Sequence, residues 1–167
     1  MGLHDKVTIN GEIPVRSFLI YCYICRIVKG TGEFLLLKRT SKYLSGIWQP
    51  VTGRIDGNET AWQAALREVK EETGLTPDRF YSSNRVESFY EISQNCISLA
   101  PVFVAFIDAG SEVKLSSEHS EYQWCTAEQA QPHLLFAQQR DTIGYIEAEF
   151  VKKEPVDYLE INMNKWC

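Results

Sequence analysis

The chain carries no surplus of positive charge: 17 Lys and Arg stand against 22 Asp and Glu, a net charge of -5 with no basic tract. That balance argues against a surface built to neutralise a nucleic-acid polymer, and an anionic substrate would need a metal and a few local basic residues. No apolar run reaches the roughly 20 residues that span a bilayer. Met1 to Lys6 lacks the charged start and apolar segment of a secretory signal, and Lys6 stands where a myristoylation motif wants Ser or Thr. A soluble cytoplasmic protein with no membrane partner is therefore expected. Cysteine is sparse and odd in number; Cys22, Cys25, Cys96, Cys125 and Cys167 include one close pair and no second CxxC to complete a zinc site, which fits a reducing compartment. Cys22 and Cys25 fall in a strand-like run where i and i+3 point to opposite faces, so they read as core packing rather than redox chemistry. Repeats, low-complexity tracts and linkers are also lacking. The 167 residues are read as one domain able to bury roughly two thirds of its unfolded surface, with residues 1–14 a leader or edge segment.

What is present is concentrated in Gly53 to Leu75, GRIDGNETAWQAALREVKEETGL. On a helix of about 3.6 residues per turn, Glu68, Glu71 and Glu72 stand at i, i+3 and i+4 and converge. Ala61 and Ala64 on the same face are expected to leave room for a ligand. Trp62, Ala65, Leu66, Val69 and Thr73 form a separate stripe that packs the helix on a core. Thr60 with Gln63 reads as a capping box, Gly74 as the C-terminal cap and Pro77 as the stop. Yet Glu68 and Glu72 repel one another, and the acidic cluster sits near the negative end of the helix dipole. A solvated acidic face would leave Gly53, Glu59, Arg67 and Gly74 unexplained at their offsets. Hard cations such as magnesium seek several carboxylate oxygens and bridge to phosphates, so the cluster reads as a metal site of Glu68, Glu72 and Glu71.

The stretch resembles the Nudix box: a glycine, five residues, Glu, seven residues, Arg-Glu, an aliphatic, one residue, Glu-Glu, one residue, Gly and an aliphatic. Every specified position matches. The resemblance implies a Nudix fold, an α/β/α sandwich with a mixed sheet, and an Arg67 that orients the helix through Glu59 rather than touching substrate.

Outside the box, Ser17–Val28, Glu33–Arg39 and Ile47–Thr52 read as strands, the first two joined by a turn at Lys29-Gly30-Thr31-Gly32. Arg85–Ile92, Leu99–Ile107, Val113–Leu115 and Glu121–Cys125 are further strand candidates. Ala127–Leu134 and Phe136–Lys153 read as helices, ended by Pro155. Tyr158–Met163 alternates weakly and is either a strand or a homodimer contact. Lys38 and Arg39 emerge at a strand end, where they would hold phosphate oxygens, Arg39 bidentately. Trp48, Tyr43, Phe89 and Tyr90 are candidates to stack on a planar ring.

In several Nudix families a loop Glu beyond the box completes the metal site or serves as base. Glu118 in Ser116-Ser117-Glu118-His119 is the best placed candidate here, and His119 reads as a polar neighbour rather than a ligand. The expected activity is a magnesium-dependent pyrophosphohydrolase, with manganese as substitute, acting on a phosphorylated small molecule resembling a nucleoside triphosphate. Water attacks and Glu71 or Glu118 takes the proton. IWQPVTG, AWQAALREVKEE and SEHSEYQW resemble the dihydroneopterin triphosphate pyrophosphohydrolase branch. Oxidised deoxynucleoside triphosphates, nucleotide sugars and dinucleoside polyphosphates are rival substrates, and a noncatalytic nucleotide-sensing module is the rival of another class.

Overall fold

The computed structural model describes residues 11–165, so Met1 to Lys6 and Cys167 lie outside the described residues. One eight-stranded sheet organises the fold. Its strands are β1 (Val15–Arg16), β2 (Leu19–Val28), β3 (Thr31–Arg39), β4 (Trp48–Gln49), β5 (Val51–Arg54), β6 (Arg79–Glu91), β7 (Cys96–Phe106) and β8 (His119–Cys125). The path runs β1-β7-β2-β3-β4, with β5 paired to β2, β6 to β7 and β8 to β3. Pairing is mostly antiparallel, but β7 runs parallel to both β1 and β2, so the sheet is mixed as expected.

Three helices cover the two faces: α1 (Ala61–Thr73) on one, and α2 (Ala127–Ala130) with α3 (Ala137–Ile146) on the other. Strand alternation decides which residues go where. Cys22, Leu35 and Leu37 join the α1-side core, whereas Cys25, Phe34 and Leu36 join the opposite one. The two close cysteines therefore serve different cores, as their spacing predicts. Burial pushes the Cys25 thiol up to about 12 and the Cys125 thiol to about 11, leaving neither available as a thiolate.

Helix α1 follows its sequence signals. Thr60 and Gln63 make both bonds of the capping box, and Gly74 ends the helix at φ 72°, a left-handed conformation that costs glycine least. Ala65, Val69 and Thr73 are buried, with Trp62 and Leu66 half-buried beside them. Ala61 and Ala64 correct the expectation of ligand space, because Ala64 is fully buried and both pack into the core.

Other departures have local causes. Pro50 lacks an N–H and divides the Ile47–Thr52 candidate into β4 and β5. Pro132 likewise shortens α2, and a 3-10 turn over Gln131–His133 follows. The second long helix gives way after Ile146 to a π turn over Glu147–Val151, although Ile143, Ile146 and Phe150 are buried as their spacing predicts. Val113–Leu115 is no strand: the Lys114 and Ser116 amides donate to the Thr73 and Glu72 carbonyls at 2.8 and 3.1 Å, satisfying the end of α1. Among the described residues Tyr158–Met163 makes a single β-bridge, Glu160 to Tyr81, beside the Ile161 amide bond to the Phe80 carbonyl. No helix among the described residues is long and apolar enough to cross a membrane.

Thr60→Ala removes one half of the capping box and should destabilise the fold by about 1 kcal/mol, while Thr60→Ser keeps the acceptor and most of that stability. Urea denaturation of the two variants checks this; equal losses would deny the cap its role.

Candidate active site

Arg67, one turn from the acidic end of α1, is the hub of the site. Its Nε and Nη2 donate to the two oxygens of Glu59 at 3.1 and 2.7 Å, and Nη2 also reaches the Arg54 carbonyl at 2.8 Å. Nη1 holds Glu68 at 2.8 Å and Glu71 at 3.2 Å. The Asp56 amide donates to Glu59 at 2.7 Å, closing the loop between β5 and α1 onto the same carboxylate. The Arg67 hydrogen bond holds the Glu59 carboxyl below the usual range, against the opposing effect of burial.

Glu68 lies against β5. A Cβ at Gly53 would overlap its carboxylate, so glycine is what allows strand and side chain to approach. Burial raises Glu68 above its ordinary pKa and the Arg67 contact opposes this; Glu72 is raised by burial too, with His119 opposing. Glu72 is 4 % exposed, one turn further along the same face. Glu71 points outward, its side chain 58 % exposed.

The loop after β7 brings in Glu118. Its carbonyl accepts from the Thr40 amide at 3.0 Å and the Thr40 hydroxyl at 2.8 Å, while Ser116 is tied to α1 as described above. Glu118 is thereby pinned between the catalytic-helix candidate and the end of β3. The two strands slip register between Lys38 and Arg39, placing Arg39 opposite His119. Arg39, Ser41, Glu118 and His119 line a cleft of about 240 Å³. Arg39 is held there by Nε bonds to Ser41 Oγ at 2.6 Å and the Tyr43 carbonyl at 3.0 Å.

Lys38 is engaged apart from Arg39. Its ammonium pairs with Glu121 at 2.7 Å and lies 5.7 Å from the centre of the Trp48 ring, and Trp48 packs with the α2–α3 core. Alternation turns Lys38 and Trp48 to the face away from α1. Tyr43 is exposed beside Arg39, Phe89 is half-buried, and the Tyr90 hydroxyl is tied to Asn95 in the β6–β7 turn.

His119 carries more than its sequence position announces. Its side chain is 1 % exposed and its Nε2 lies 3.2 Å from Glu72 Oε2. One donor atom from each of Glu72, Glu118 and His119 falls within 4.8 Å of the others. A lone histidine has no spacing signal; only the strand register reveals it.

The Glu59 shift fixes the sign of an acid effect. A carboxyl with a lowered folded pKa contributes stability above its unfolded value, about 4.3, and loses it as pH falls through the folded one. Denaturation curves from pH 6 to 3 should show Glu59→Gln less stable at pH 6 but with a shallower acid decline. Parallel declines would remove Glu59 from the acid response.

A model of the NUDIX domain matches residues 21–145. A bis(5'-nucleosyl)-tetraphosphatase (asymmetrical) of Caenorhabditis elegans is 35% identical over 64% of this chain and 77% of its own. Among solved structures, a C. elegans Ap4A hydrolase binary complex superposes with TM-score 0.67 at 27% identity, covering 78% of this chain and 94% of that one. The E. coli dihydroneopterin triphosphate pyrophosphohydrolase gives 0.64 at 25% identity, covering 84% and 99%. With the box geometry, the sheet and the domain match in agreement, the chain belongs to the Nudix family of hydrolases.

Proposed function

We propose that this Nudix hydrolase is a magnesium-dependent pyrophosphohydrolase that cleaves a nucleoside-triphosphate-like compound to its monophosphate and pyrophosphate. The observation that carries the reading is that Glu118, from a distant loop, comes within ion-sharing distance of Glu72 on α1 and also lines one cleft with Arg39. Acidic residues would hold a cation and the guanidinium would hold a phosphate.

The donor set fits a hard divalent ion. The Glu72 carboxylate is buried with only the His119 contact among the described residues, and burial, then the neighbouring Glu68 and Glu118, press its pKa upward. Glu68 and Glu72 would hold the ion, with Glu71 or Glu118 adding an oxygen. Magnesium bound there would neutralise charge on the phosphoryl oxygens and favour ionisation of the attacking water. Arg67 stays with its carboxylates and leaves substrate to Arg39, whose planar fork suits a phosphate.

For proton acceptance, Glu118 is the better placed of the two candidates. Glu71 is engaged by Arg67, whereas the Glu118 carboxylate has no hydrogen bond or ion pair among the described residues. Water would attack the phosphorus nearest the nucleoside or pterin. A second reading, asymmetric cleavage of a dinucleoside tetraphosphate, is favoured by the 35% identical relative that carries that name.

Chelation with EDTA should abolish turnover and magnesium should restore it; undiminished turnover after verified metal removal would sink the metal reading. In oxygen-18 water the label should enter the monophosphate, and label in pyrophosphate would relocate the attack. Faster turnover of a dinucleoside tetraphosphate than of any triphosphate would select the second reading.

Glu118→Gln should lower kcat by at least about tenfold with a smaller change in KM. An unchanged kcat would return the proton to Glu71 or to solvent.

A further inference from the structure

His119 opens β8 with its imidazole almost wholly buried, facing the Glu72 carboxylate that the preceding reading assigns to the metal. The register slip that aims Arg39 into the cleft also sets His119 across from it, so one strand irregularity places both groups. Nε2 is at pairing distance from Glu72 Oε2 but off the line of a good hydrogen bond, and neither atom has another hydrogen-bond partner among the described residues. Both groups have lost water, and among the described residues each is the complement the other is offered at that contact. A carboxylate that must present one oxygen to a cation gains from having the other held.

We infer that His119 is a positioning residue for Glu72: its Nε2–H holds Oε2 and leaves the second carboxylate oxygen for the divalent ion. In this arrangement Nε2 carries the proton that faces Glu72, and Nδ1 has no hydrogen-bond partner among the described residues. Direct ligation by the same nitrogen is the rival, since Glu72, Glu118 and His119 lie close enough to share an ion. The two roles exclude each other, because a nitrogen that donates its proton to Glu72 has no lone pair for a metal. Magnesium's demand for hard oxygens favours the donor role.

The inference rests on the metal-site reading, and its test separates the two. Binding of manganese by the full chain is followed by electron paramagnetic resonance of the free ion, with magnesium as competitor. His119→Asn, whose amide stops short of the Nε2 position, should weaken both cations by about 10–100-fold. His119→Gln, whose amide nitrogen reaches that position, should stay within about threefold of the parent. Wild-type affinity in His119→Asn would overturn the inference. So would equal losses in both variants that are larger for zinc or cobalt than for magnesium, which would make the imidazole a ligand. Nitrogen-15 spectra of histidine-labelled wild type need no variant to fold: the Nε2–H tautomer should persist when magnesium is added, and loss of that proton would again overturn it. A wild-type chain that binds no divalent cation would instead fail the metal-site reading itself.

Discussion

One guanidinium carries the architecture of the site. Arg67 touches Glu59, Glu68 and Glu71 and the Arg54 carbonyl, and it stands 3.5 Å from Asp56. Without it, carboxylates on one helix face would repel across one turn while the loop from β5 would lose its tie to α1. The pairing with Glu59 is bidentate and partly sheltered, the arrangement in which an Arg–carboxylate pair retains geometric value. Exposed ion pairs elsewhere, such as Lys153 with Glu149, carry little by comparison.

Three backbone devices then set the remaining distances. Gly53 lets β5 approach Glu68; the Lys114 and Ser116 amides bind the final carbonyls of α1; and Thr40 holds the Glu118 carbonyl. The same loop thus terminates the helix and delivers an acid to it. This economy explains why a segment that reads as a short strand is irregular. Its donors are already committed to a helix end, and a strand there would leave the Thr73 and Glu72 carbonyls without them.

Most of the box was legible because each of its signals is local. A capping box, a left-handed glycine and carboxylates at i, i+3 and i+4 depend on neighbours within one or two turns, and the sequence displays them all. Strand alternation was equally readable in Cys22 and Cys25. Lys38 and Arg39 were separable by the same rule, but the register slip and the Glu121 partner come from β8, far along the chain. His119 was invisible as a partner of Glu72 for that reason too. The π turn after Ile146 and the fate of Tyr158–Met163 depend on tertiary contacts, which periodicity does not encode. Ala61 and Ala64 were misread because smallness serves close helix–sheet packing as readily as an open pocket.

The division between the two arginines follows from charge. A polyphosphate approaches a protein of net charge -5, and Glu72 and Glu118 would repel it from the cleft. Arg67 cannot relieve that repulsion, because its donors are turned toward Glu59, Glu68 and Glu71. Arg39 lines the cleft with Glu118 and His119, and its hydrogen bonds among the described residues, to Ser41 and the Tyr43 carbonyl, are made through Nε. Its two terminal nitrogens are therefore the part of the fork that remains for a phosphate. A cation among the carboxylates and a guanidinium in the adjoining cleft would grip a phosphate chain at two points, and a monophosphate offers no second point to hold. Selectivity for an anhydride over a simple ester would then arise from the span between these two positive charges, with the sheet fixing that span.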